Sequence, residues 1–318
     1  MEREEIEDLL VSKIKRLTET TWHGRILEPE INQWVSQFER ASDDIASDEQ
    51  LHALYLLGNF IYFGQEEIRE LLKSLYRDQY RTPAIHAIRR ANDDTSDRAL
   101  LEQKFKTYQE KTRFLGVGNP SESGVHLLYY FRQVNNLPRS LFIHTHQIFD
   151  RDTSASVPTM RVRDNDIDTY VFIDDLCGSG TQAEEYSRDI VDPLRKLKED
   201  VKIHYVVLFA TTAGLEAIRR LDRYDEVSAI YELDESFSAL EPASRLFSHP
   251  DTPFDRLQVR KTCQKYGSTL WPGHPLGYKN GQLLLGFNHN TPDNALPIFW
   301  RETPTWRPIF KRYHKDPT

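Results

Sequence analysis

The chain has 318 residues, 39% of them hydrophobic and 28% charged, which suits a globular protein with a sizeable core. Its formal net charge of -8 argues against a nucleic-acid binder that works through bulk positive charge, while leaving room for a local basic patch. Two cysteines far apart, Cys177 and Cys263, make neither a disulfide framework nor a zinc cluster and suit a reducing cytosol.

The start, MEREEIEDLL, lacks the basic and apolar regions of a secretory signal. Residues 1–110 read as helical, because apolar positions in EEIEDLLVSKI, INQWVSQFERA and EEIRELLKSLY recur at helix spacing. The longest apolar run, LHALYLLGNFIYF at 51–63, is shorter than the ~20 residues of a membrane span. It reads as a buried core helix, capped at Ser47 with Gln50 three residues on. No membrane segment is expected, and the expected location is the cytoplasm. The polar stretch 91–112 reads as an exposed helix or a linker.

From Arg113 the character changes. RFLGVG and NPSESG lead into the helical VHLLYYFRQVNNL, then SLFIHTHQIF, a strand candidate, and the polar DRDTSASVPTMRVRDNDID. After them come the strand YVFIDD, a loop, a helix from about Ala183, the strand KIHYVVLFATT, the helix GLEAIRRL and the strand VSAIYEL. Strands alternating with helices argue for a parallel sheet with helices on both faces. The rest, 241–318, is aromatic and Pro-rich and reads as irregular. The expected fold class is α/β, with domains at 1–110 (helical), 111–240 (the α/β core) and 241–318 (an extension packed on the core).

In parallel sheets ligands bind beyond the carboxyl ends of the strands. IDDLCGSGTQ sits at such an end. Successive N–H groups of the turn Gly178, Ser179, Gly180 and Thr181 can converge on an anion, and two hydroxyls stand beside them. The loop has neither Walker A nor G-x-G-x-x-G spacing. Vicinal Asp174 and Asp175 behind an apolar run need a partner, such as neighbouring hydroxyls or Mg²⁺. A phosphate loop beside acids that bind a diol describes recognition of ribose 5-phosphate.

VFIDDLCGSGTQ resembles the signature by which type I phosphoribosyltransferases bind phosphoribosyl pyrophosphate (PRPP). That signature is an apolar strand, two acids, three loop residues and Thr-Gly-x-Thr. Asp174 and Asp175 match the ribose-binding acids, and Ser179 and Gly180 match the first Thr and the Gly. Gln182 stands where the last Thr lies, and Gly178 stands where some members carry a carboxylate base. The resemblance spans roughly 113–235, since FLGVG and NPSESG take the place of the first strand and pyrophosphate loop, and DRDTSASVPTMRVRDND that of the mobile loop. It implies a type I phosphoribosyltransferase-like core with an N-terminal helical domain and a C-terminal hood, a PRPP or nucleotide ligand, and Mg²⁺ held at Asp174 and Asp175. The DD-x-x-GSG-x-Q loop, the NPSESG turn and HNTPDNALPIFW are similar to phosphoribosyltransferase-like effectors of bacterial antiphage systems, retron-associated ones included. That likeness implies an antiviral role against or alongside nucleotides, with a protein partner such as a reverse transcriptase. It also leaves open a subunit that senses a ligand, or acts as a scaffold, without turnover.

Other groups carry two readings each. Ser121, Ser123 and Gly124 read as part of a pyrophosphate loop or as a plain helix cap. Arg151, Arg161 and Arg163 could grip pyrophosphate oxygens or be solvated loop charges. His144 and His146 share a strand face and read as a metal pair or as a polar strand end near the site. Asn288, His289, Asn290, Asp293 and Asn294 read as a hood over the base or as turn residues, and Trp271, Trp300 and Trp306 as packing anchors.

Overall fold

The run Thr169–Cys177 is buried at all but one of its nine positions, which a central strand with both faces covered allows. A computed structural model of the chain, described for residues 2–41, 44–118, 123–152, 159–250 and 252–312, provides that setting. In chain order its strands are β1 (Ile61–Phe63), β2 (Thr112–Gly116), β3 (Phe149–Asp152), β4 (Thr159–Val162), β5 (Thr169–Cys177), β6 (Lys202–Thr211), β7 (Glu226–Leu233) and β8 (Leu285–Phe287). Contacts group the chain into two compact units: Arg69–Glu232, and Met1–Ile68 with Leu233–Thr318. The sequence suggests boundaries near 110 and 240; by contact, 69–110 groups with the sheet and 241–318 with the first helices.

In the unit Arg69–Glu232 the sheet runs β2-β5-β6-β7, and β5 is parallel to both β2 and β6. The segment SLFIHTHQIF, expected as a strand, is reduced to one parallel bridge, Phe142 to Phe114, between short helical turns at Arg139–Leu141 and Thr145–Gln147. Because β5 already pairs with β2 on one side, Phe142 lies on the other, as a vestigial outer strand.

The two faces are covered by different crossovers. The helix Ser123–Val134, which follows β2, packs on the face of Phe114, whose ring lies 5.2 Å from Phe131 and 5.0 Å from Tyr80. The helix after β5 covers the opposite face. It runs as Thr181–Tyr186, a wide turn Ser187–Val191 and Asp192–Leu197, with Pro193 just past the wide turn. A proline lacks an N–H and crowds the carbonyl four residues back, and a widened turn relieves both. Ala183, Val191 and Leu194 from this helix join Phe172, Tyr205 and Val207 in one core. The crossovers therefore diverge where β2 and β5 end, which is the switch point at which open parallel sheets bind ligands. The segment 91–112, open as helix or linker, contains the helix Arg98–Glu110, capped by Asp97 and seated through buried Phe105.

The other unit contains the helices Arg3–Glu19, Glu28–Val35, Glu49–Leu57 and Arg256–Leu270. Here the sequence reading needs correction. The run 51–63 is broken: its helix ends before Gly58, and Ile61–Phe63 becomes β1, paired in parallel with β8. The cap is Asp48, whose side chain accepts the Leu51 N–H at 3.0 Å, and Ser47 closes the preceding turn. Nor is 241–318 irregular throughout, because Arg256–Leu270 is a helix of 15 residues. Its buried face is Val259, Thr262, Cys263, Gly267 and Leu270, which has little apolar contrast, and Gly267 lies against the Pro275 carbonyl where a Cβ would overlap. Trp300 and Trp306 are buried, and each indole N–H donates to a backbone carbonyl, Ala295 and Ile298 respectively, as anchors do. Among the described residues no helix is long and apolar enough to cross a membrane.

Buried His52 bridges the Thr262 hydroxyl (2.9 Å) and the Ala46 carbonyl (3.1 Å). Burial lowers its pKa below the ordinary 6.5, and burial does the same to His204 on β6. The unfolded chain therefore takes up protons first, so this stability is present above 6.5 and is lost as pH falls below it. These two groups pull the thermal midpoint down between about pH 7 and about pH 5, while buried carboxyls with raised pKa, such as Glu226, act in the opposite sense. His52→Gln should make that fall shallower, and an equally steep fall in the variant would remove His52 as a cause.

Candidate functional site

Past Ile173 the chain changes character while still bonded to β6. Register pairs Gly116 with Ile173 and Asp174 with Val207, so β2 has ended where the acids begin. The last bond on that side is Val117 N–H to the Ile173 carbonyl at 3.1 Å, and Gly118 turns away at φ 97°. β5 continues through Asp174, Asp175, Leu176 and Cys177, then turns through Gly178 and Ser179 to Gly180, whose φ of 77° favours glycine. The next helix starts at Thr181, with the Gly180 carbonyl accepting the Glu184 N–H at 2.8 Å. The Ser179 and Thr181 hydroxyls lie 3.0 Å apart, so a single anion could meet both.

The two acids are not equivalent. Strand alternation sends them to opposite faces. Asp174 is 5% exposed and shares the face of Phe172 and Tyr205. Its Oδ1 accepts the Asp175 N–H at 2.9 Å and its Oδ2 accepts the Tyr205 hydroxyl at 3.2 Å. Burial, then the neighbouring charge of Asp175, holds the Asp174 pKa well above the usual carboxylate range. Burial also pushes the Cys177 thiol and the Tyr186 hydroxyl up to about 12 each, with the charge of Asp174 adding to both. Asp175 is 9% exposed, and its Oδ1 accepts the Leu176 N–H at 2.8 Å. Asp174, Asp175, Gly178, Ser179, Gly180, Thr181 and Gln182 thus occupy one strand end and one turn.

The remaining candidates lie elsewhere or outside the described residues. Ser121 is outside them, and Ser123 and Gly124 open the helix Ser123–Val134. Arg151 is exposed on the antiparallel pair β3–β4, opposite Met160. Arg163 is already paired with Asp150 at 3.0 Å. His144 and His146 do not alternate on a strand; His144 caps a helical turn that contains His146, with their rings stacked at 5.6 Å. Among the described residues no three His, Cys, Asp or Glu side chains converge on a metal position. In the other unit Asn290 accepts the Thr291 N–H, Asp293 pairs with Arg312 at 3.0 Å, and Asn294 donates to the Tyr278 carbonyl.

A model of the family described as PRTase-CE matches residues 31–312, and the chain belongs to that family. No curated protein matches it. Among solved structures it is similar to the AQ2163 protein of Aquifex aeolicus, at 15% identity, 66% of this chain, 86% of that one and a TM-score of 0.30. It is also similar to a xanthine-guanine-hypoxanthine phosphoribosyltransferase from Helicobacter pylori, at 11% identity, 53% and 84% coverage and a TM-score of 0.28. A purine phosphoribosyltransferase from Pyrococcus horikoshii Ot3 follows at 13%, 54%, 87% and 0.26. At such scores the superpositions carry no argument, and the α/β fold rests on the sheet itself.

Sequence reasoning missed the groups that shape the loop. The Thr211 hydroxyl, at the end of β6, donates to the Gly178 carbonyl at 2.5 Å and accepts the Gly214 N–H at 2.9 Å. A Cβ on Gly214 would lie 2.5 Å from the Gly178 oxygen and 2.7 Å from the Cys177 oxygen, both backbone atoms. The only sequence signal is the TTAG turn after a buried strand, which reads equally as a helix cap. Gly214→Ala should therefore displace the loop at a cost of about 1–3 kcal/mol, the usual range for overpacking. Denaturant titration would read the cost, and faster amide exchange at Gly180 to Gln182 would read the displacement. Unchanged exchange there would show that the contact does not set the loop.

Proposed function

We propose that this chain binds a ligand built on ribose 5-phosphate, PRPP or a nucleotide, where β2 and β5 part, and transfers its glycosyl group in a reaction that uses Mg²⁺. One observation carries the reading: a buried strand passes through two carboxyl groups into a glycine-turned loop with two adjacent hydroxyls, at the sheet's switch point. The loop N–H groups and the Ser179 and Thr181 hydroxyls would take the 5-phosphate, and the acidic strand end the sugar hydroxyls. In the transfer the C1–oxygen bond to pyrophosphate breaks, its electron pair leaves with pyrophosphate, and an incoming nucleophile bonds to C1. Little covalent work falls to the protein, which positions the partners and stabilises developing charge.

Mg²⁺ would supply charge neutralisation on the departing pyrophosphate. The residues fit an ion that travels with the ligand: Asp174 and Asp175 offer carboxyl oxygens at the strand end, and phosphate oxygens complete such a shell. Ser121, Ser123 and Gly124 would form the pyrophosphate side, with Arg151 on the pair that closes over it. Their support is order along the chain.

A second reading has its own support. Gly178 stands where a base-activating carboxylate lies in some similar transferases, and Gln182 where a hydroxyl does. Both departures favour a protein that binds and signals without turnover. The finer setting we propose is a bacterial antiphage effector in the cytoplasm, working beside a protein partner such as a reverse transcriptase. Its support is the resemblance of the GSG loop and of HNTPDNALPIFW. Loss of phage protection on deleting the gene would support it, and undiminished protection would remove it.

Titration calorimetry with PRPP and Mg²⁺, followed by an assay for released pyrophosphate or base, tests the activity. We expect binding and turnover in the native protein. Asp175→Asn should lower turnover by at least about 100-fold, the scale of a lost charge-stabilising group. Binding without turnover would select the sensing reading, and no binding of PRPP or any nucleotide would end both.

A further inference from the structure

The helix Ser123–Val134 begins past the end of β2 and finishes at a cleft of about 480 Å³ lined by Arg69, Arg132, Gln133, Val134, Asn136 and Leu137. Its 12 residues, at ~1.5 Å of rise each, put the cleft roughly 16 Å along the helix from its start. Arg69 and Arg132 are half-buried, and among the described residues neither meets a carboxylate or donates a hydrogen bond. Arg69 Cζ lies 4.7 Å over the Tyr130 ring and Arg132 Cζ 6.0 Å from the Tyr129 ring, which leaves the N–H edges of both forks unused. Elsewhere in this unit partly buried arginines are paired, Arg195 with Asp225 at 2.7 Å and Arg223 with Asp192 at 3.0 Å. Nor does the helix end need these cations, because its own turn takes the last carbonyls. Phe131 accepts the Asn135 N–H, Gln133 the Asn136 N–H and Arg132 the Leu137 N–H, with Asn136 at a φ of 51°. The Asn135 amide also donates to the Leu72 carbonyl, which ties this end to the helix that carries Arg69.

We infer that this cleft is a second anion site, separate from the loop after β5, and that it takes a small phosphorylated ligand. Planar guanidinium forks match phosphate oxygens in bidentate fashion, and the amides of Gln133 and Asn136 add donors beside them. Among the described residues no acidic side chain lines the cleft to repel such a ligand. Its volume lies in the range of small-molecule sites, with room for a sugar phosphate or a mononucleotide. Tyr129, 55% exposed and next to Arg132, offers a ring face to the rest of such a molecule. Two arginines are too few for a nucleic-acid strand, whose affinity grows with each phosphate neutralised, on a chain of net charge -8.

The test is amide exchange of the full-length protein with pyrophosphate, glycerol 3-phosphate or AMP as the probe. It is run at about 0.15 M salt, where exposed charges more than about 8 Å apart are screened. We expect at least one probe to slow exchange at 132–137, in the native protein and in Asp175→Asn alike, so the outcome does not depend on the ribose 5-phosphate reading. Arg69→Gln and Arg132→Gln should each raise the probe concentration needed by about ten- to a hundredfold, the scale of a hydrogen bond to a charged group. Arg69→Lys, which keeps the charge and loses the fork, should raise it as well. Exchange without a probe should be the same in all three variants, which shows that they fold. No protection by any probe at about 10 mM, well above a weak Kd of about 1 mM, would overturn the inference. Protection that survives both Gln variants would overturn it too, as would protection lost in Asp175→Asn. Equal protection by citrate would reduce the cleft to charge attraction and remove the phosphate assignment.

Discussion

The hydrogen bond from the Thr211 hydroxyl to the Gly178 carbonyl ties the ends of two neighbouring parallel strands, just where the candidate loop begins. Parallel strands diverge into their loops with no partner for the last carbonyls, so a loop there has no fixed shape of its own. Here β6 supplies a hydroxyl, and Gly214 lets the backbone after β6 come to the backbone after β5 without a side chain between. Gly180 then turns with its hydrogen-only α-carbon facing Ala217 and Ile218. These contacts hold the turn from behind, as the proposed phosphate cradle would need.

The same strand end carries a second constraint, a carboxyl group inside an apolar sheet. Asp48 in the other unit shows one solution: it is fully buried, yet it pairs with the Arg3 guanidinium at 2.7 Å and caps a helix with its other oxygen. Asp174 has a phenol and a peptide N–H instead, and burial drives its pKa upward. Those two hydrogen bonds offset part of what burying the carboxyl group costs.

How much of this the sequence discloses follows from the kind of signal. β5 and β6 are legible because continuous apolar runs have few other uses, and the acids stand out because they interrupt one. The helix Arg256–Leu270 is hidden because its buried face uses Thr262, Cys263 and Gly267. The outer strand near Phe142 is overread because its composition suits a strand while the fold keeps only one bridge of it. Thr211 and Gly214 are invisible for another reason. Their roles are distances between segments far apart in sequence, and no local pattern encodes a distance. The tie from Tyr205 to Asp174 is of the same kind, spanning two strands.

In the proposed transfer, acceptor choice is the remaining step, and the C-terminal Asn and Asp cluster is partly occupied with its own surroundings. Asn290 and Asn294 hold their own backbone, and Asp293 holds Arg312, all within one unit. These contacts engage part of what the side chains could offer a base edge. In the proposed transfer Gly178 would offer no carboxylate to strip a proton from an incoming nitrogen, and such a loop would suit a nucleophile that needs little activation.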